Sequence, residues 1–61
     1  MREDMKTQIA DTFSELLEKE DIDKITVTQL SEKCQISRQT FYYHFHDIMD
    51  VLEWTFKRST Q

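Results

Sequence analysis

The sequence predicts an all-α domain of three to four helices organised around a helix-turn-helix. Three observations carry that class. The 61 residues contain no Gly and no Pro, so tight hairpins and Gly-rich phosphate loops lack the residues they need. Apolar residues recur at spacings of three and four, the period of a helix face. Two short helical segments in the middle of the chain are separated by about three residues, the spacing of a helix-turn-helix.

Helix one is predicted over residues 3–19. Met5, Ile9, Phe13, Leu16 and Leu17 form its apolar stripe, and Glu15 precedes Lys19 at the favourable i,i+4 spacing. The run Glu20-Asp21-Ile22-Asp23-Lys24 breaks the pattern and reads as a connection. Thr26 opens helix two, predicted over 27–34, with Gln29 at the capping-box spacing T-x-x-Q. Val27, Leu30 and Cys34 supply its apolar face. Ser37 is a good N-cap for helix three, predicted over 38–45, with Phe41 and Phe45 inward at i,i+4. Asp47 caps helix four, predicted over 48–59, and Asp50 adds negative charge to its first turn. Ile48, Val51, Leu52 and Phe56 are read as its buried stripe, and Glu53 with Lys57 as a further i,i+4 pair. Phe13, Phe41, Phe45, Trp54 and Phe56 are all expected in the core, although Trp54 could instead pack on another domain.

Size and composition narrow the function. A chain this short buries only about 60% of its unfolded surface and leaves little room for an enzyme cleft of roughly 300 Å³ or more. No apolar run is long enough to span a bilayer, and the N-terminus lacks the pattern of a signal peptide. The single cysteine, Cys34, excludes an internal disulfide framework and a multi-cysteine zinc site. A cytoplasmic location fits that cysteine usage.

The net charge is −4, unevenly spread. Residues 1–23 carry three basic against eight acidic side chains, whereas residues 24–46 carry Lys24, Lys33 and Arg38 against Glu32 alone. An acidic total argues against generic coating of nucleic acid, but the middle stretch is suited to facing phosphate. It also holds the side chains that a groove-reading helix needs. Arg38 suits guanine O6 and N7, and Gln39 suits adenine N6 and N7. Thr40, Tyr42, Tyr43 and His44 offer donors to phosphate oxygens. Free N–H groups behind Thr26, at the start of helix two, suit a phosphate.

The stretch from Ile25 to Leu52 resembles the N-terminal domain of TetR/AcrR-family transcriptional regulators. The resemblance rests on Thr26-Val27-Thr28-Gln29-Leu30-Ser31 and on Ser37-Arg38-Gln39-Thr40-Phe41-Tyr42-Tyr43-His44-Phe45, followed by a capped fourth helix. Arg38 to Tyr42, with Asp47 and Leu52-Glu53-Trp54, is also similar to the DhaS-type branch that regulates dihydroxyacetone-kinase operons. The resemblance implies a homeodomain-like fold spanning residues 1–61 and a bacterial regulator that reads a palindromic operator in double-stranded DNA. It implies contacts from Thr26, Thr28, Ser37, Arg38, Gln39, Thr40, Tyr42, Tyr43 and His44. Within these, Arg38, Gln39 and Thr28 are candidates for base readout and the others for phosphate positioning. It also implies a homodimer formed through a separate ligand-binding and dimerisation domain, of which these 61 residues hold nothing, so the isolated chain is expected to be monomeric and to bind weakly.

Three residue features depart from the family pattern. Gln35 stands where the turn usually has Gly, and a left-handed backbone there costs about 1 kcal/mol more for a non-Gly residue. Ile48 stands where a Lys often reaches phosphate. The acidic helix one is compatible with DNA only if it faces away. Two other function classes compete. A protein-interaction module, coactivator or antagonist, could reuse the fold, which the net charge and Ile48 favour. A small enzyme or metal protein is disfavoured: His44 and His46 are two apart and do not share a helix face, Cys34 reads as a small buried hydrophobe, and no nucleophile–base set has supporting context. No enzyme activity, cofactor or metal is expected.

Overall fold

The computed structural model describes residues 4–59. Four α-helices follow one another: α1 (Met5–Leu17), α2 (Val27–Cys34), α3 (Arg38–His44) and α4 (Ile48–Ser59), with a 3₁₀ turn at Ile22–Lys24. There is no strand among the described residues. The domain is all-α, as expected, and α1 packs against both α2 and α4 while α2 packs against α3.

Asp4 starts α1 by accepting from the Thr7 N–H at 3.0 Å, so the helix begins at Met5, the first residue of its apolar stripe, two residues later than the predicted start at residue 3. It also ends two residues earlier. Its exit tightens, with Glu18 N–H bonded to Glu15 O and Lys19 N–H to Leu16 O, the i→i+3 pattern of a helix end that has no left-handed cap. The connection then contains the short 3₁₀ turn, held by Lys24 N–H to Asp21 O and Ile25 N–H to Ile22 O. Ile25 is buried, and Ile22 packs against the core beside it.

The turn between α2 and α3 is fixed by one residue. Gln35 takes φ 61 and ψ 43, the left-handed conformation expected there, and is the sole positive-φ residue described. Ile36 N–H reaches back to Ser31 O at 3.0 Å and Gln35 N–H to Glu32 O at 3.1 Å, which closes the helix in a Schellman motif. Replacing Gln35 with Gly removes a Cβ from this conformation at no cost in hydrogen bonds. We expect Gln35→Gly to raise Tm by about 4 °C or more in thermal unfolding; an unchanged or lower Tm would show that the turn is not strained.

Nine side chains make the core: Ile9, Phe13 and Leu16 of α1, Ile25, Leu30 and Cys34 around α2, Phe41 of α3, Phe45, and Val51 of α4. Phe41 and Phe45 lie 6.0 Å apart between ring centroids, and Trp54 meets Phe45 edge-on at 5.9 Å. Cations extend this row outward. Lys6 sits 5.2 Å from the Phe45 centroid, and Arg58 sits 5.2 Å from that of Trp54 while also approaching Asp11 at 3.5 Å. Lys6 also lies 5.6 Å from the Trp54 centroid, so this contact and the Arg58–Asp11 pair fasten α4 to α1.

Phe56 is the one aromatic residue that the sequence places wrongly. It is 63% exposed rather than buried. At about 100° per residue, Phe56 lies about 140° around α4 from the buried Val51, whereas Trp54 lies within about 60° of it. The core-facing line therefore continues through Trp54, and Met49, Leu52 and Phe56 form a second apolar strip. Together with His46, Asp47, Asp50 and Glu53, they line an open groove of about 530 Å³.

Candidate nucleic-acid interface

Phe41 orients the whole of α3. It points inward, fully buried, and the remaining positions then fall into three rows at i,i+4. Counting about 100° per residue from Phe41, Arg38 and Tyr42 form one edge, Gln39 and Tyr43 the outermost line, and Thr40 and His44 the other edge. Exposure follows this order. Arg38, Gln39, Tyr42 and Tyr43 are exposed, Tyr43 at 84%, while Thr40 and His44 are half-buried. Tyr42 rests edge-on against Phe41 at 5.4 Å, and Tyr43 against His44 at 5.0 Å.

Ser37 caps α3. Its Oγ accepts from the Thr40 N–H at 3.1 Å and lies 3.1 Å from the Thr40 hydroxyl. The two hydroxyls expected to meet phosphate are thus already partnered with each other, and only one of them can be the donor between them. Thr26 caps α2 in the same way, its Oγ1 accepting from the Gln29 N–H at 3.1 Å. A capped threonine keeps its own hydroxyl proton for an outside acceptor. Thr26 and Thr28 are both exposed at the beginning of α2.

The capping box of α2 is formed by half. Gln29 does not reach back to the Thr26 N–H; its Nε2 donates instead to Glu20 Oε2 at 2.8 Å. Sequence spacing gives no signal for that pair, which closes nine residues of chain between the exit of α1 and the first turn of α2. Asp4, the cap of α1, is likewise legible only from the structure.

The start of α4 borders this surface. Asp47 Oδ1 accepts from the Asp50 N–H at 2.9 Å, and Asp50 Oδ2 accepts from the His46 N–H at 2.8 Å. The expected cap is therefore present, and Asp50 adds a reciprocal bond. The Asp50 N–H, then the His46 side chain, hold the Asp47 carboxyl below its ordinary value of 3.8. A depressed carboxylate pKa contributes stability that is complete above the unfolded value and is lost as pH falls through the folded value. Helicity measured by circular dichroism should therefore fall as pH drops below about 3.8, and Asp47→Asn, which keeps a neutral cap, should make that loss smaller. Identical acid profiles for the two chains would contradict this.

Cys34, His44 and His46 do not come together. Cys34 is buried in the core, while His46 is exposed at the head of α4. Burial pushes the Cys34 thiol up, and the nearby Thr12 side chain opposes this in part. Such a thiol is a packing element rather than a nucleophile.

Two short helices joined through a left-handed residue, with an exposed polar face on the second, define a helix-turn-helix domain. The family comparison makes this specific. The model of the bacterial regulatory proteins of the tetR family matches residues 9–53, which is most of the chain, and the protein belongs to that family. The domain is accordingly a DNA-binding regulatory one and not a catalytic one. The match stops at the family and gives no support to the dihydroxyacetone-kinase branch. No curated protein and no solved structure matches the chain. No helix among the described residues is long and apolar enough to cross a membrane.

Proposed function

We propose that this domain binds double-stranded DNA sequence-specifically, with α3 in the major groove, Thr26 at the start of α2 against the backbone and Thr28 reaching the groove edge. The observation that carries the reading is the face of α3: Arg38, Gln39, Tyr42 and Tyr43 are exposed together over a buried Phe41. Arg38, Gln39 and Thr28 are assigned to base edges. Thr26, Ser37, Thr40, Tyr42, Tyr43 and His44 are assigned to phosphate and sugar, with Thr40 and His44 reaching from the half-buried edge. The operator is a palindrome read by a homodimer in the cytoplasm, and a single copy of this domain binds one half-site weakly. The avidity gained by joining two half-sites can reach about 10²–10⁴.

Binding to a mixed-sequence duplex, followed by fluorescence anisotropy, should be measurable at low salt and should fall steeply as salt rises, because phosphate contacts release counterions. A second reading is a protein-interaction module. The exposed Met49 and Phe56, with half-buried Leu52 between them, beside Asp47, Asp50 and Glu53 favour it, together with the net charge of −4. A domain that ignores duplex at every salt concentration supports that second reading and contradicts the first.

A further inference from the structure

We propose that Glu20 is a positioning residue for DNA binding: its carboxylate grips Gln29 and thereby sets the rotation of the first turn of α2, which presents Thr26 and Thr28. The inference rests on the DNA-binding reading above. The bond from Gln29 Nε2 to Glu20 Oε2 is 2.8 Å long and partly buried, and a hydrogen bond to an ionised acceptor is stronger than a neutral one. Glu20 is itself anchored, because its N–H donates to Leu16 O at 2.8 Å at the exit of α1. On the other side Gln29 is fixed through its own N–H, which donates to the Thr26 hydroxyl at 3.1 Å. Leu30, the next residue, is fully buried. The carboxylate thus links the end of α1 to the turn of α2 whose exposed residues, Thr26 and Thr28, are assigned to DNA.

This role has a sign that simple electrostatics does not share. Glu20 adds negative charge next to Asp21 and Asp23, close to where phosphates would lie. If it were only a charge, its removal would tighten DNA binding. If it positions α2, its removal loosens Thr26 and Thr28 and weakens binding. Asp21 supplies the control, being exposed and making no side-chain cap bond at the 3₁₀ turn.

The test compares four chains for binding to one mixed-sequence duplex at low salt: the parent, Glu20→Ala, Glu20→Gln and Asp21→Asn. Asp21→Asn should bind as tightly as the parent or up to about twofold tighter. Glu20→Ala should bind about three- to tenfold more weakly, on the scale of a lost hydrogen bond to a charged group. Glu20→Gln keeps an acceptor oxygen for Gln29 while losing the charge, and should recover much of the binding that Glu20→Ala loses. Amide hydrogen exchange of the free chains supplies a readout independent of DNA, with faster exchange expected at Gln29 and Leu30, whose N–H groups are bonded to Thr26, in Glu20→Ala alone. A Glu20→Ala chain that binds more tightly than the parent, in step with Asp21→Asn, overturns the positioning role while leaving the DNA reading intact. A Glu20→Gln chain as weak as Glu20→Ala overturns it equally. A parent chain that does not bind duplex at all refutes the DNA reading itself, and the role with it.

Discussion

Phe41→Ala is expected to unfold the domain at ordinary temperature. Phe41 is fully buried and contacts Phe45 and Tyr42 through its ring. Removing a buried Phe side chain costs about 3–5 kcal/mol, through lost burial and the cavity left behind. A domain of 61 residues has a total stability of roughly 3–9 kcal/mol at typical values per residue. The loss is therefore comparable to the whole, and it falls on the only residue that α3 contributes to the fully buried core. Circular dichroism should show a collapse of helicity or a Tm lower by more than about 12 °C. A folded Phe41→Ala chain with a near-parent Tm would mean that α3 is held by something other than its one inward side chain. Phe41→Leu, which refills most of the volume, should recover much of the loss.

Arg38→Ala is expected to leave the fold unchanged and to remove about one to two orders of magnitude of DNA affinity. Arg38 is exposed on the first turn of α3, where a guanidinium can take both acceptors of a guanine or a phosphate pair. Loss of one bidentate base contact corresponds to about 1–3 kcal/mol. No ion pair within the domain holds Arg38 among the described residues, so the substitution breaks little inside the protein. Tyr42→Phe is the matched comparison. It keeps the ring against Phe41 and deletes only the hydroxyl assigned to phosphate. Its effect should be smaller, about tenfold or less, and equal on all sequences, whereas Arg38→Ala or Gln39→Ala should relax preference at particular base pairs. Binding to a panel of single-base-pair variants distinguishes these cases. A uniform loss for Arg38 and Gln39 would reassign both to backbone contact.

Much of this architecture is encoded by local sequence. Thr26, Ser37 and Asp47 cap the helices that they were expected to cap, because an N-cap is a local event whose donor lies three residues ahead. Gln35 is left-handed because the turn geometry demands it whatever residue is present. The misplacement of Phe56 has a different origin. Helix α4 carries Ile48, Met49, Val51, Leu52, Trp54 and Phe56 within nine positions, so two apolar lines compete and periodicity cannot choose between them. Packing chooses: Trp54 meets Phe45 at the end of α3 and lies beneath Lys6 of α1, while Arg58 of the same helix closes over its ring.

The candidate interface was partly legible for the same reason. Chemistry and spacing single out residues 37–44, but their exposure depends on how α3 rolls on its one buried Phe. That roll turns Thr40 and His44 halfway inward and leaves Tyr43 outermost. The bond between Glu20 and Gln29 spans nine residues across a loop, and no local pattern encodes it.

The most direct test of the central claim is an amide NMR titration of the domain with a mixed-sequence duplex, at low salt and again at high salt. The account predicts shifts clustered on residues 26–29 and 37–44 that fade as salt rises, with α1 little affected. Shifts confined to the α4 strip around Met49 and Phe56, or none at either salt, would contradict the assignment of α3 as the DNA-reading helix.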